Sequence, residues 1–453
     1  MLGQPAMLAA QTLAAHPPQR AQSRLRAPVA VTAGPHSTVE TSIAIDPSNP
    51  DHIVGAALTT IGDPSQRNIT NFSYVTWDGG RSWTTVAAPN PEGRVQGDDG
   101  VVVDHTGRVY RTYISFKHLH DPSALSPKTG VFAAVSQDGG LTYAVPAPIV
   151  DHINTIVPFE DKPYPGIDLA PQSPYRGRLY VAWTRFTRYG SPSAEDSSYI
   201  FVASSADGGR TFSRPTRVPG TAGDALDGDG TVEGAVPAPG PDGTVYMTWA
   251  GPRGMEFSRS MDGGVTWDTA RAILEQPGGW SFDIAGLTRA NGLPVTGVDI
   301  SDGPHRGTVY LNWADLRNSG GEPGDVDIFL SRSSDGGRSW SEPLRVNRDR
   351  RGNGRDQFFT WMSVDPLDGS VNVVYYDRRE GDGTGIHVYL ARSTDGGRSF
   401  TEHRISEAPF VPVEGRFFGD YIGVSAYGSR VACLWPRAEK EADVLRAVVI
   451  DFE

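Results

Sequence analysis

The stretch SSDGGRSW (333–340) repeats five more times along the chain with small changes. The other copies are TWDGGRSW (76–83), SQDGGLTY (136–143), SADGGRTF (205–212), SMDGGVTW (260–267) and STDGGRSF (393–400). In each copy the Asp carboxylate can accept backbone N–H groups across a tight turn, a Gly can adopt a positive φ angle, and the final aromatic ring can pack against a sheet. The copies lie 60, 69, 55, 73 and 60 residues apart, which indicates long structural repeats.

A second repeated element indicates how many units there are. It is a short apolar strand that mostly ends in Asp and is followed by a hairpin turn and a strand rich in Tyr and Trp. It occurs seven times, as IAID (43–46), VVVD (101–104), PGID (165–168), AVPA (235–238), TGVD (296–299), MSVD (362–365) and IGVS (422–425). Together with the strands on either side of each Asp-Gly-Gly turn, each unit has four antiparallel strands. We therefore predict an all-β, seven-bladed β-propeller with the turns between strands three and four of a blade, and a six-bladed ring is the alternative.

The seventh unit lacks an outer strand at its end, because only the strand VLRAVVIDF (444–452) follows its second strand. The segment APVAVTAG (27–34) resembles the strands that follow the turns, so we expect it to complete the seventh blade. Closing the ring in this way removes exposed sheet edges. Residues 27–453 then form one propeller domain, and we interpret residues 1–26 as a disordered leader or targeting segment that makes a poorly formed signal peptide.

The composition agrees with a turn-rich β-protein and excludes several kinds of function. The chain has 453 residues, of which 53 are Gly and 35 are Pro, and its one cysteine, Cys433, excludes a disulfide framework or a Cys-ligated metal. The formal net charge of −12 argues against nucleic acid as a partner. No apolar run is long enough to span a membrane.

The six turns resemble the Asp boxes, or bacterial neuraminidase (BNR) repeats, of the sialidase-like β-propeller superfamily. The resemblance covers about residues 35–453. It implies a hydrolase, namely an exo-α-sialidase-like glycosidase that acts on terminal acidic sugars. A carbohydrate partner, in particular an acidic glycan, and a secreted or periplasmic location are also implied. Because Asp-box propellers differ in activity, a non-catalytic propeller that binds glycan or protein and a uronate polysaccharide lyase are the alternatives.

The face opposite the turns is the expected place for the site, because the loops that enter the inner strands open there. Arg forks can hold a sugar carboxylate, and paired acids can transfer protons or attack a glycosidic carbon. The catalytic candidates on this face are Asp98, Asp99, Glu233 and Tyr421. The substrate-binding candidates are Asp161, Lys162, Arg185, Arg317, Arg378, Arg416 and Asp420.

The resemblance also implies particular roles within this set. Asp99 would be the acid/base, Tyr421 the nucleophile assisted by Glu233, and Arg317 and Arg378 two arms of an arginine triad. The Arg-Ile-Pro signature that sialidases carry near their first blade is absent, and the matching position reads VETS (39–42). The third arm would then come from another residue, such as Arg416.

Two further groups of residues point to other chemistry. The segment KHLHD (117–121) together with His152 could supply the base of a lyase. Asp224, Asp227 and Asp229 with Glu233 have a spacing reminiscent of part of a calcium loop. We expect no metal site and no cofactor, with calcium as the one ion to be considered. The Asp residues of the six turns are expected to be scaffold.

Overall fold

The computed structural model describes residues 26–32, 36–61, 69–118, 126–319 and 324–453. These residues form thirty β-strands and no helix, so the described part contains no helix that could cross a membrane. Residues 1–25 of the expected leader, and residues 33 and 34 of the expected closing strand, lie outside the described ranges.

Seven four-stranded antiparallel sheets form the blades, and in blades 1 to 6 the strands follow the order of the chain from the inner to the outer strand. Blade 1 contains β2 (Ser37–Ile45), β3 (Ile53–Thr60), β4 (Ile69–Thr76) and β5 (Thr84–Ala87). Blade 2 contains β6 (Val95–Val103), β7 (Val109–Lys117), β8 (Lys128–Ser136) and β9 (Ala147–Ile153). Blade 3 contains β10 (Phe159–Ile167), β11 (Leu179–Phe186), β12 (Ser198–Ser205) and β13 (Thr216–Arg217).

The remaining blades repeat this arrangement. Blade 4 contains β14 (Glu233–Pro239), β15 (Val245–Gly251), β16 (Gly254–Ser260) and β17 (Arg271–Leu274), and a hairpin of β18 (Ser281–Phe282) and β19 (Ala290–Asn291) follows it. Blade 5 contains β20 (Val295–Val298), β21 (Val309–Asp315), β22 (Asp327–Ser333) and β23 (Leu344–Arg345). Blade 6 contains β24 (Gln357–Val364), β25 (Val371–Asp377), β26 (His387–Ser393) and β27 (Thr401–Arg404).

Blade 7 is completed from both ends of the propeller. Its strands are β28 (Gly423–Tyr427), β29 (Arg430–Ala438), β30 (Asp443–Asp451) and, on the outside, β1 (Val29–Ala30). Val29 pairs with Ala447, and the N–H of Val31 donates to the carbonyl of Leu445 at 2.9 Å. The prediction of seven blades closed by an N-terminal strand is therefore confirmed, and the six-bladed alternative is wrong.

The core lies between neighbouring blades. Large aromatic side chains on the second strands are fully buried there, namely Trp183, Trp249, Trp313 and Trp435. Apolar residues of blade 2 and blade 3 form one continuous cluster, as do those of blades 5, 6 and 7. Burying one such side chain contributes about 1.5–3 kcal/mol, so the aromatic second strands hold the ring together.

The Asp-Gly-Gly turns have the bonding that their sequence predicts. The carboxylate of Asp335 accepts the backbone N–H and the hydroxyl of Ser339 at 2.9 and 2.6 Å, and it also accepts the hydroxyl of Ser333. Gly336 and Gly337 have φ angles of 72° and 84°, which only glycine adopts without strain. The other five turns carry the same carboxylate contacts.

Strand registers place these turns at the far end of the inner strands. In blade 5, Val298 at the end of the inner strand pairs with Val309, which pairs in turn with Ser333 at the start of the turn. The beginnings of the inner strands therefore lie on the opposite face. Near these beginnings the inner strands of blades 1, 2, 3, 4 and 6 have register shifts of the kind made by β-bulges, which re-aim side chains.

Candidate active site at the channel mouth

The beginnings of the inner strands bring charged side chains from five blades to one place. Several of these residues sit at or beside a bulge, where Glu40, Asp98 and Lys162 have φ angles of 56°, 43° and 47°. We call the whole group the acidic cluster. It contains six carboxyl groups and two cations: Glu40, Asp98, Asp161, Asp227, Glu233, Asp420, Lys162 and Arg289.

Asp420 is the carboxylate that both cations hold. The ammonium group of Lys162 donates to its two oxygens at 3.2 and 3.1 Å, and Nε of Arg289 lies 2.8 Å from Oδ2. Burial raises the pKa of Asp420, but the charges of Lys162 and Arg289, together with hydrogen bonds from Lys162 and Asn291, outweigh burial, so the net shift of the pKa is downward. Asp420 is therefore ionised at neutral pH.

Glu233 lies beside this ion pair in the opposite protonation state. Its Oε1 is 3.9 Å from Nζ of Lys162 and 4.0 Å from Arg289, and neither of its oxygens has a hydrogen-bond partner among the described residues. Burial, followed by the charge of Asp227, raises the pKa of Glu233 to about 8. A protonated carboxyl group and an ionised carboxylate thus flank one ammonium group.

The other acids of the cluster crowd one another. Burial and then the charges of Asp420 and Asp98 raise the pKa of Glu40 well above its usual range. Burial and then the charges of Asp98 and Glu233 do the same for the pKa of Asp161. Asp98 and Asp161 are partly exposed, so this side of the cluster faces solvent.

Three aromatic side chains form a floor beneath the cluster. The ring of Tyr164 lies 4.5 Å from that of Trp361 and 6.4 Å from that of Tyr421, between ring centroids. Above the floor is a cavity of about 30 Å³ that Asp98, Lys162 and Asp420 also line. Below it, the inner strands surround a channel of about 240 Å³.

Tyr421 is placed as a packing residue of this floor. Nζ of Lys162 lies 5.6 Å from the centre of its ring, and the residue is 7% exposed. Burial, followed by the charges of Glu40 and Asp98, raises the pKa of the Tyr421 phenol well above its usual range. The phenol is therefore neutral, which argues against activation as a nucleophile.

Four of the arginines proposed from the sequence do not converge on this cluster. Each is held by groups of its own blade or of a neighbouring loop: Arg185 by Glu160, Arg317 by Asp315, Arg378 by the carbonyl of Ala285, and Arg416 by Asp443 and the carbonyl of Glu439. The expected arginine triad is therefore not assembled from these residues, and this corrects the sequence interpretation.

A repeated arrangement inside the blades explains where two of these arginines go. In blade 3, the indole N–H of Trp183 and the guanidinium of Arg185 both donate to Glu160, and Arg185 lies 4.0 Å above the ring of Phe201. In blade 5, Trp313 and Arg317 bind Asp315 in the same way. The cation at the end of the second strand thus ties the sheet together.

Asp99 is also placed differently from its neighbour Asp98. Its carboxylate forms an ion pair with Arg111, both side chains are fully buried, and Arg111 also donates to the hydroxyl of Ser73 at 2.9 Å. The backbone turns sharply at Asp98, so the two adjacent carboxylates lie in different surroundings. The contacts therefore do not support an acid/base role for Asp99, because Arg111 already holds its carboxylate in an internal ion pair.

The residues considered for lyase chemistry and calcium have other partners. His152 contacts the carboxylate of Glu160 at 2.8 Å, and residues 119–121 lie outside the described ranges. Asp224 accepts the N–H of Leu226, whereas Asp229 accepts the N–H groups of Trp280 and Ser281 at the start of β18. Within the described residues no group of three or more His, Cys, Asp or Glu side chains is arranged to hold a metal.

Arg289 was missed by the sequence analysis. It lies directly before β19, in the hairpin inserted ahead of blade 5. Its guanidinium reaches Asp227 at 3.5 Å as well as Asp420. The signal for such an insertion was the spacing of 73 residues between the fourth and fifth turns, the longest in the chain.

A larger cavity lies elsewhere, between blades 2 and 3 on the face of the turns. Its volume is about 790 Å³, and its lining includes Arg108 and Asp207. Asp207 is bonded within its own turn, and Arg108 contacts the hydroxyl of Tyr110. The acidic cluster is therefore the better candidate for chemistry.

Comparisons with known proteins agree with the fold. No family model matches the chain, and no curated protein matches it in sequence. A solved structure of a protein of unknown function from Dyadobacter fermentans aligns with 95% of this chain and 99% of its own, at 12% identity and a TM-score of 0.51. At such an identity the likeness concerns the fold alone.

Two solved glycosidases align with the chain at lower TM-scores. Hadza microbial sialidase Hz136 is 14% identical and aligns over 84% of this chain and 72% of its own, with a TM-score of 0.46. An α-L-arabinanase from Penicillium chrysogenum is 12% identical and aligns over 95% and 98%, with a TM-score of 0.48.

Proposed function

We propose that the protein is a glycoside hydrolase whose reaction takes place in the acidic cluster. One observation carries the proposal: Nζ of Lys162 lies 3.1 Å from the ionised Asp420 and 3.9 Å from Glu233, whose pKa is raised to about 8. Two carboxyl groups with pKa values pushed apart by their surroundings form the usual acid and base pair of glycoside hydrolysis.

Each group then has a definite task. Glu233 donates its proton to the glycosidic oxygen as the bond to the sugar breaks. Asp420 remains negative and stabilises the positive charge that develops on the sugar ring, or it accepts the proton of the water molecule that attacks that ring. Lys162 and Arg289 keep Asp420 ionised, and the partly exposed Asp98 and Asp161 can accept hydroxyl groups of the sugar.

The identity of the sugar is a separate matter. The preference for terminal acidic sugars that the sequence resemblance implied rested on several arginines, and among the described residues Arg289 is the one arginine that forms ion pairs with the cluster. That preference therefore has little support from the contacts. A carbohydrate partner and a secreted or periplasmic location stay predictions.

Hydrolysis of aryl glycosides tests the proposal. The panel should contain neutral, acidic and amino sugars, and we expect turnover of at least one of them. Glu233→Gln and Asp420→Asn should each lower kcat about 100-fold or more. Asp302→Asn is the matched control, because that carboxylate is 98% exposed and lies after β20, on the face of the turns. Equal turnover by all four proteins contradicts the assigned roles.

The small cavity favours one other function. Its volume of about 30 Å³ above a closed aromatic floor suits a shallow binding surface better than a deep sugar pocket. A non-catalytic glycan-binding propeller would bind members of the same panel, as measured by calorimetry, without releasing any product.

A further inference from the structure

The acidic cluster contains more carboxyl groups than its own cations contact. Contacts of 4.0 Å or less join Lys162 and Arg289 to the carboxyl groups of Asp227, Glu233 and Asp420. None of the ion pairs among the described residues involves the other three carboxyl groups, which are those of Glu40, Asp98 and Asp161.

These three side chains come from neighbouring blades and interact electrostatically. Asp98 stands on the inner strand of blade 2, between the inner strands of blades 1 and 3 that carry Glu40 and Asp161, and its charge acts on both. Their backbone is held by the bulges, in which Glu40 and Asp98 have left-handed φ angles. The inner strands of three neighbouring blades therefore place these residues on the same face of the ring.

Glu233 gives a second, independent sign of a ligand. Its side chain is about 1% exposed, it faces Lys162 within the cluster, and neither oxygen has a hydrogen-bond partner among the described residues. A buried carboxyl group without a hydrogen-bond partner is costly, so a polar group from outside the protein would stabilise it.

We propose that the acidic cluster binds a primary ammonium group of its ligand, held between Asp98 and Asp161. An ammonium group has three N–H donors and forms strong charge-assisted hydrogen bonds with carboxylates. It also supplies the positive charge that these acids lack. Together with the hydrolase function proposed above, on which this part rests, the substrate is a sugar with a free amino group.

Matched sugars test the inference. Binding of glucosamine oligomers with free amines is compared by calorimetry with that of the same oligomers in N-acetylated form, at a pH where the amine is protonated. We expect the free-amine form to bind at least about 10-fold tighter. Asp98→Asn and Asp161→Asn should each reduce that preference, whereas the exposed control Asp302→Asn should keep it. Equal binding of the two forms overturns the inference, as does a preference that both cluster variants retain.

A lysine tetrapeptide in the same assay distinguishes the source of the ammonium group. Tighter binding of the sugar supports the amino-sugar assignment, whereas tighter binding of the peptide supports the ammonium subsite but overturns that assignment. Binding is measured without turnover. A protein that prefers the ammonium form but hydrolyses nothing would therefore contradict only the proposed hydrolase function. Hydrolysis of neutral glycosides with no ammonium preference removes only this inference.

Discussion

The ammonium group of Lys162 lies 3.1 Å from the carboxylate of Asp420, although 258 residues separate the two in sequence. Lys162 belongs to blade 3 and Asp420 lies just before blade 7. The contact therefore links opposite parts of the ring across the channel, and it depends on all seven blades being in place.

Replacing Lys162 with methionine should damage both stability and activity. Removing one partner of a buried ion pair typically costs about 3–5 kcal/mol, and here Arg289 remains to compensate in part. The pKa of Asp420 should rise, which lowers the fraction that is ionised. Urea unfolding and glycoside turnover measure the two effects. Lys440→Met, at an exposed position, is the control, and a Lys162→Met protein that matches it contradicts the prediction.

Asp98 and Asp99 should respond differently to the same change. Asp99→Asn breaks the fully buried pair with Arg111, so we expect a loss of about 3 kcal/mol or more in the free energy of unfolding. Asp98→Asn removes a negative charge from a crowded group, so stability should be retained or increased while ligand binding weakens. Thermal unfolding of the two variants provides the comparison, and equal losses would be inconsistent with the structure.

The proton on Glu233 should make stability depend on pH. Burial and the charge of Asp227 raise the pKa of Glu233 to about 8 from an ordinary value of 4.5. Between these values the folded protein binds this proton and the unfolded chain does not. The free energy of unfolding should therefore fall as pH rises through this interval, by up to about 1.4 kcal/mol per pH unit from this group. Urea unfolding of wild type and Glu233→Gln over this range should show a shallower fall in the variant.

Removing the hydroxyl of Tyr421 should have little effect on turnover. In this structure the ring packs against Trp361 and lies below Lys162, and the phenol is held neutral. We expect Tyr421→Phe to keep kcat within about 10-fold of wild type. Tyr421→Ala removes the ring from the aromatic floor, so it should lower kcat more than Tyr421→Phe does. A loss of about 10⁴-fold in the Phe variant would instead support the nucleophile role that the sequence resemblance implied.

Changing a turn carboxylate should affect the scaffold and not the chemistry. Asp335→Ala removes the acceptor of the Ser339 N–H and hydroxyl, so we expect a loss of about 1 kcal/mol, as for a helix N-cap. The values of kcat and KM should stay unchanged below the unfolding temperature. A selective fall in kcat in the folded variant would show that this face takes part in the reaction.

The fold was predictable from the sequence because its turns depend on local chemistry. Asp, Gly and a hydroxyl residue at fixed spacing determine each turn, as in Asp335 and Ser339, and seven apolar strands of similar spacing determine the ring. The closing strand also followed, since the seventh blade needed a partner for β30.

Site residues were predictable from the sequence only where their position in a blade determines that they lie near the channel. Asp161, Glu233 and Asp420 reach the channel because they stand at or near the beginnings of inner strands. Side-chain direction was not predictable. Arg185 stays over Phe201 because a carboxylate and an aromatic ring of its own blade hold it there.

Neighbouring residues and insertions were a second source of error. A bulge at the beginning of β6 breaks the alternation of the strand, so the sequence could not tell Asp98 from Asp99. Arg289 comes from an inserted hairpin that no other blade has among the described residues. The long spacing between the fourth and fifth turns indicated an insertion, but the repeats could not indicate which of its side chains reaches the cluster.

The left-handed backbone at the channel mouth places charged side chains in the site and lowers the stability of the fold. Blade 4 has Gly234 and the segment before blade 7 has Gly419 where a positive φ angle is needed, but Glu40, Asp98 and Lys162 adopt it with side chains. Each such residue costs about 1 kcal/mol or more. Replacing Glu40 or Asp98 with glycine would remove both the backbone strain and the repulsion between like charges. Selection for thermostability alone would therefore tend to erase the charged residues of this site.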